Sequence, residues 1–496
     1  MKKLIFILVA AATLITTGCE DWLAVNDSPN NPTEVPADLV LPSAESALAT
    51  RLGGNMFNYS GFFAQYWSQA PEANQYNAID EYEIKNEFLN NDYAILYSDA
   101  LVDLEYVRDE AEAAEDWGNY LAATVLRAYT YQVLVDIMGK APFSEALKGS
   151  EIPMPKWDDG KAIYQGLIEE LNFALDQVSS NSAVYTTDLI FNQEATAAAQ
   201  MKQWIGFANA LKLKLYMRSS YENSDNLQAI KDLVAANNFF SGDVTFGAFS
   251  DESGKRNPWY ETNEIGLGTV NNIATYPIIT FLRSKNDPRM DVLYSEAPNA
   301  DDYAGNMPGW KSRPGALTDD YSAPVIHATQ PVYLFTQTEL QLFIAEAELR
   351  FNNNDAAAEA AYQAAIDANL ELHELSEAGS DLYGSGQPYE WNSGATTEEK
   401  LEQIMLQKWV SLCMVNHVEA WTEIRRTGYP SVSSSEGEDI ADNPGIYTPG
   451  ELIVPVVNSL GDNMIQRVPF PEDASTLNEN TPEQVGNATK IWWDKK

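Results

Sequence analysis

The residues able to do covalent or metal chemistry are few. Cys19 closes the run Leu14-Ile15-Thr16-Thr17-Gly18-Cys19, a small residue pair ahead of a thiol. That pattern resembles the bacterial lipobox, in which the cysteine is acylated and becomes the first residue of the mature chain. Leu commonly stands three positions before such a cysteine, and here Thr16 does; a plain secretory leader is the alternative. The other cysteine, Cys413, lies in an apolar stretch and reads as core. One leftover cysteine in a secreted chain offers no disulfide framework. His327, His373 and His417 are scattered, and neither H-E-x-x-H nor paired C-x-x-C occurs, so no zinc site is expected. Asp301-Asp302 and Asn352 to Asp355 lack the spacing of a calcium loop and read as solvated turns. Glycoside hydrolysis would need two carboxyls about 5 to 10 Å apart, one with a raised pKa. Nothing in the pattern of 72 Asp and Glu singles out such a pair, and no G-x-S-x-G, Walker or dinucleotide loop occurs. No cofactor and no catalytic residue is expected.

Non-covalent capture is better served. Sugars offer apolar C–H faces and a rim of hydroxyls, which rigid aromatic rings and side-chain amides match at little entropic cost. Three clusters place aromatics among turn residues: Tyr66-Trp67 through Gln75-Tyr76, Arg256-Asn257-Pro258-Trp259-Tyr260, and Tyr303-Ala304-Gly305 to Pro308-Gly309-Trp310. The candidate ligand contacts are therefore Trp67, Tyr76, Trp259, Tyr260, Tyr303 and Trp310. The competing reading is packing, the usual fate of Trp and Tyr.

The chain carries 72 acidic against 31 basic residues, a formal charge of -41. Such a field repels phosphate backbones and excludes nucleic acid as a partner. It also disfavours strongly anionic ligands unless a local basic pocket overrides it. Lys2 and Lys3 followed by the uncharged run Leu4 to Ile15 form a secretory leader, too short to span a bilayer. The expected organisation is a signal peptide over residues 1–18, a lipid-anchored tether over 19–42 and one folded body over 43–496. The tether is rich in Pro and Asn, as in Asn26-Asp27-Ser28-Pro29-Asn30-Asn31-Pro32. Glu20-Asp21 after the cysteine resembles an acidic surface-export signal; a solvated tether carrying two acids is the other reading.

The elements that must hold these residues are helical. Apolar stripes recur at helical spacing in Ile163, Leu167, Leu171, Ala174 and Leu175, and in Trp204, Phe207, Ala208, Leu211 and Leu215. Leu340, Phe343, Ile344 and Ala347 make a third, and Met405, Trp409 and Leu412 a fourth. Asp158 or Asp159 is placed to cap the first stripe's helix. Two long helices are expected between Asp92 and Met138, parted near Trp117-Gly118-Asn119, and another over Ala356 to Ala368 after the turn at Asn352-Asn353-Asn354-Asp355. Small residues at Ala345, Ala347, Ala361, Ala364 and Ala365 allow close pairing, the layout of tetratricopeptide-like (TPR-like) units without a regular repeat. A few strands are expected within Ser241 to Val332. The fold class is mainly α, with TPR-like helix pairs on one side and a loop-rich side opposite.

Several segments resemble, in order, those of the SusD/RagB family of outer-membrane nutrient-binding lipoproteins. Met138-Gly139-Lys140-Ala141-Pro142-Phe143-Ser144-Glu145-Ala146-Leu147 is similar to its G-D-x-P-Y-x-E-A-L turn, with Lys140 in place of Asp and Phe143 in place of Tyr. Asn209 to Arg218, Asn286-Asp287-Pro288-Arg289-Met290, Glu339 to Glu348, Gln407-Lys408-Trp409, and Glu419-Ala420-Trp421 with Arg425-Arg426-Thr427-Gly428-Tyr429-Pro430 resemble later family blocks. The resemblance implies a non-catalytic surface protein. It would capture a glycan, or a peptide as some relatives are thought to do, for a SusC-like TonB-dependent barrel in the outer membrane. Physics adds that Arg425 and Arg426 suit carboxylate clamps at a helix end, and that Asp287-Pro288-Arg289 suits a turn closed by its own ion pair. A glycoside hydrolase and a TPR-type adaptor are the readings from other classes.

Overall fold

The computed structural model describes residues 35 to 496. Cys19, the leader and most of the tether lie outside the described residues. The tether was expected to run to residue 42, but helix α1 already spans Ala37–Leu52 and buries Leu41 and Ala44. The body therefore begins earlier than the Pro-rich composition implied; Pro42, past the first turn of α1, has no N–H for the Asp38 carbonyl, which accepts from the Thr187 hydroxyl instead. The segment Asn55–Phe63 forms α2.

Two further helices, α3 (Val102–Ala113) and α4 (Trp117–Met138), answer the pair expected before Met138. The break falls at Ala114 to Asp116, slightly before the predicted point, because the Asp116 carboxylate accepts from the Asn119 backbone and amide and caps α4. Apart from Trp117, every residue of α4 is buried. A helix apolar all round belongs in a core, and α4 packs against α3, α5 (Gly160–Gln177) and α6 (Ala197–Arg218). It ends at Gly139, where φ is 86°, a left-handed cap that glycine adopts without strain. Neither Asp158 nor Asp159 caps α5 with its side chain; the Asp158 carboxylate instead accepts from the backbone N–H groups of Phe143 and Ser144. It thereby fastens the Gly139–Leu147 turn, a different job from the one expected.

The third and fourth stripes form α7 (Gln337–Ala347) and α9 (Thr397–Leu412), joined by α8 (Asp355–Leu372) and α10 (His417–Thr427). Helix α7 packs on α8 and α9, and α9 on α10, which are the TPR-like pairs. Among the described residues the strands are short and form three antiparallel two-stranded ribbons: β1 (Trp67–Gln69) with β5 (Asn272–Ala274), β2 (Lys140–Pro142) with β3 (Trp157–Asp159), and β4 (Val244–Phe246) with β6 (Val332–Phe335). Three of them, β1, β2 and β3, lie outside the stretch where strands were expected. Cys413 is core, as read, with its thiol beside the Tyr294 hydroxyl.

Where five helices meet, charges are buried. Lys214 and Arg218 of α6 face Glu339 of α7 and Glu419 and Glu423 of α10, with N···O distances of 2.6 to 3.3 Å. Lys408 of α9 reaches Glu423 at 2.8 Å. The Arg426 guanidinium holds Glu346 with both Nη atoms, at 2.8 and 2.5 Å, and Glu423 at 2.7 Å. Asp136 of α4 completes the set beside Arg218 and accepts from the Tyr164 hydroxyl and the Trp493 indole. Arg426 is thus the clamp the sequence suggested. Arg425 is not a carboxylate clamp: it donates to the carbonyls of Asp136 and Gln466 and lies over the Trp421 ring. The Asp287–Arg289 pair closes its turn at 2.6 Å, as read.

Removing one partner of a buried pair leaves an uncompensated charge. Arg426→Met should lower unfolding free energy in urea by about 3 to 5 kcal/mol, whereas Arg426→Met with Glu346→Leu should recover a large part of it. Burial pushes Glu423 up, yet Arg426, Lys408 and Arg218 together hold it well below the ordinary 4.5. Its stabilisation is therefore present above 4.5 and lost as pH falls through the depressed folded value. Burial raises Glu339 to about 7 against the pull of Lys214, so its contribution is full below 4.5 and lost as pH rises toward 7. Urea midpoints of Glu423→Gln should approach the wild type as pH drops below 4.5, while Glu339→Gln gains on the wild type between 4.5 and 7. Parallel profiles for the two variants would contradict the assignment.

Candidate functional site

On the loop-rich side a cleft of about 510 Å³ opens between α1, α2, Tyr76, the stretch after β4 and the segment from Gly254 to Asn263. The sequence builds it through a close approach. A side chain at Gly53 would strike Val332 of β6 at 2.2 Å, and one at Gly54 would meet the Thr50 carbonyl at 2.7 Å. The Gly53-Gly54 pair thus lets α1 turn into α2 directly against β6 and the short helix that starts at Pro258. The Asn257 side chain starts that helix by accepting from the N–H groups of Trp259 and Tyr260, and its amide donates to the Gln330 carbonyl.

Below the cleft lies a web of amides and indoles. Asn58 is buried in the apolar helix α2. Its carbonyl oxygen Oδ1 accepts from the Trp259 indole and from the Asn272 amide, both at 3.0 Å. The Trp67 indole donates to the Asn58 backbone carbonyl at 2.9 Å, and the rings of Trp67 and Trp259 stack with centroids 5.4 Å apart. The Tyr76 hydroxyl donates to Asn263 Oδ1 at 2.6 Å, and the Asn263 amide returns a bond to the Trp259 carbonyl. Burial pushes the Tyr76 hydroxyl up to about 12, so it stays a neutral donor. Gln69 and Asn271 tie the Tyr76 loop to β5.

This places the candidates in three groups. Trp67 and Trp259, 0% and 1% exposed, are stacked inside the web and form the cleft floor. The turn residues around them suggested exposure, but each indole N–H finds its acceptor within the fold. Tyr76 lines the cleft and Tyr260 lines a second one, of about 400 Å³, on the other flank of the same short helix. Tyr303 and Trp310 are half-buried elsewhere: Trp310 packs on the small cluster of Met307, Ile440, Tyr447 and Ile453, with the Arg313 guanidinium 5.2 Å over its ring. The three clusters are therefore not one site. Phe246, Phe249, Arg51, Asn55 and Asn58 line the cleft and were not singled out. Asn58 had a signal, an amide inside the otherwise apolar run Met56 to Phe63.

The chemistry available is binding chemistry. The single carboxylate lining the cleft, Glu261, is engaged by Arg256 at 3.0 Å. His417 lies near this floor but is buried, and burial lowers it to about 3, so it is a neutral imidazole that accepts from the Met414 N–H. Among the described residues no group of three or more His, Cys, Asp or Glu is placed to hold a metal ion. Among them, too, no helix is long and apolar enough to cross a membrane.

Residues 29–447 match the family model SusD-like_2, described as starch-binding associating with outer membrane. No curated protein matches the chain by sequence. Among solved structures, a SusD homolog from Bacteroides uniformis ATCC 8492 is 20% identical with a TM-score of 0.69, covering 92% of this chain and 99% of that one. A chitin-binding SusD homolog from Flavobacterium johnsoniae is 18% identical with a TM-score of 0.72, covering 92% and 98%. One from Bacteroides thetaiotaomicron VPI-5482 is 20% identical with a TM-score of 0.71, covering 93% and 100%. At such identities these structures establish the fold alone, while the family match spans most of the sequence. The chain belongs to the SusD-like family, and with it to the binding proteins, not the enzymes, that associate with the outer membrane.

Proposed function

We propose that the protein captures a glycan at the cell surface, held by an acyl chain on Cys19, and delivers it to a SusC-like TonB-dependent transporter. The observation that carries the glycan reading is the cleft: half-buried Phe249 beside Phe246 and Tyr76, with Asn55, Asn58 and Asn263 around them. Ring faces for C–H surfaces, with amides for hydroxyls, is the pairing a sugar requires. The F. johnsoniae relative is named for chitin binding, which supports the same ligand class here. Tyr260, on the far flank of the short helix, is assigned to the extension of that surface. The lipid anchor rests on the Leu14 to Cys19 run, and a multiply acylated cysteine anchors stably where a single chain does not.

Affinity electrophoresis and calorimetry on residues 20–496, across neutral polysaccharides, charged polysaccharides and mixed peptides, test the ligand class. Glycan binding is expected, weakened about tenfold by Phe249→Ala. Binding of peptides alone would replace the glycan reading with peptide capture. Trp259→Ala should instead act on the fold, lowering stability by about 3 to 5 kcal/mol in urea because a fully buried indole is lost. In cells, Cys19→Ala should abolish palmitate labelling and release the protein from the membrane fraction; retention with undiminished label would remove the anchor from the proposal.

A further inference from the structure

The hydrogen-bonding capacity left over in the cleft is lopsided. Glu261 is taken by Arg256 and by the Gly254 N–H. Arg256 is taken twice, by Asp251 at 2.6 Å and Glu261 at 3.0 Å, and Lys255 is paired with Glu252 at 2.7 Å on the exposed rim. Arg51 differs. Among the described residues its ion pair is a long one, Nη1 to Asp92 Oδ1 at 3.5 Å, and Asp92 already accepts from the Asn55 amide at 2.6 Å on its other oxygen. Two buried polar atoms of the cleft-lining residues have no hydrogen-bond partner among the described residues: Arg51 Nε and Asn58 Nδ2. Both are N–H donors. Asn58 is 2% exposed, and its carbonyl oxygen is committed to Trp259 and Asn272.

A buried donor without an acceptor is unfavourable, and a guanidinium with a single distant counter-ion more so. The group that answers both is an acceptor with no hydrogens of its own and a negative charge. We propose that the glycan taken by this cleft is an acidic one, and that its carboxylate or sulfate ester docks on Arg51 and Asn58. The inference rests on the glycan reading above and narrows it. Arg51 supplies the charge and a planar fork suited to either anion, and Asn58 supplies a neutral donor fixed from below by the indole of Trp259. The aromatic wall of Phe246 and Phe249 then carries the sugar ring. Asp92 divides its carboxylate between the Asn55 amide at 2.6 Å and Arg51 at 3.5 Å, so its hold on the guanidinium is the looser of the two.

The experiment compares one ligand with itself. Calorimetry is run on the unmodified protein, residues 20–496, with a uronic-acid oligosaccharide, with the same oligosaccharide after reduction of its carboxylates to primary alcohols, and with a sulfated oligosaccharide. The expected result is at least about tenfold tighter binding of the uronate or the sulfated form than of the carboxyl-reduced one, with the preference shrinking as salt is raised. Which anion binds tighter tells carboxylate from sulfate. Arg51→Gln should erase the preference and Arg51→Lys should keep part of it, with thermal melts showing that both variants are folded. Equal affinity for the reduced and the charged form would overturn the acidic-glycan assignment and leave glycan capture standing. Binding of no glycan in the full panel would overturn both, and if Arg51→Gln is unfolded, the paired ligands on the wild type still decide.

Discussion

The constraint on which the rest of the structure depends is the pairing of buried ionisable groups where α4, α6, α7, α9 and α10 converge. Lys214, Arg218, Lys408 and Arg426 are matched within a few ångströms by Asp136, Glu339, Glu346, Glu419 and Glu423, all essentially out of contact with water. Isolated, any one of these ions would be expensive to bury. Together they are satisfied only in one relative placement of five helices, because a shift of one helix by a turn would leave several ions unpaired at once. Hydrophobic stripes can slide against one another at modest cost. A lattice of buried ion pairs cannot. The network therefore acts on register more than on raw stability, and it reaches the chain terminus through the Trp493 indole on Asp136.

That rigid body frees the opposite side to be irregular. The cleft is built from loops and short helices whose backbone would otherwise be poorly held, and amides do the holding: Asn58, Asn257, Asn263, Asn271 and Asn272 each join segments distant in sequence. Amides offer donors and acceptors without titrating near neutral pH. A site framed by them, and floored by two stacked indoles, keeps its shape across pH and has no group poised to move a proton. That is the physical counterpart of a protein that holds a ligand without transforming it.

How far the sequence discloses this differs between the two sides. The ion network is written in the blocks that carry the family resemblance: Lys214 and Arg218 in one, Glu339 and Glu346 in another, Lys408, Glu419 and Arg426 in the last two. Charged residues at helical spacing inside apolar stripes are a local signal, and so is Asp287-Pro288-Arg289. The cleft is different. Trp259 stands among Asn, Pro and Tyr and looks exposed, yet its indole is satisfied by Asn58, 201 residues away. Arg51 looks like an ordinary cation in the last turn of a helix until Tyr76, Phe249 and Glu261 arrive from three other segments. Whether an aromatic stacks on a partner inside the chain or waits for one outside is decided by such long-range pairings, which composition and spacing do not encode.

Net charge shows the same division of scales. A formal -41 governs what approaches over tens of ångströms and suffices to repel a nucleic acid, whose phosphates must be met over a wide surface. Inside a recess the balance is set by the nearest few groups, since salt screens exposed charges beyond about 8 Å at physiological ionic strength. Lys255 and Arg256 are matched by Glu252, Asp251 and Glu261, which leaves Arg51, held by one long pair to Asp92, as the loosely countered cation of the cleft wall. A long polyanion would meet the acidic surface on either side of the cleft, whereas one acidic sugar unit meets only the wall. The overall charge thus limits the size of anion the surface tolerates, and the local arrangement of donors decides what the cleft accepts.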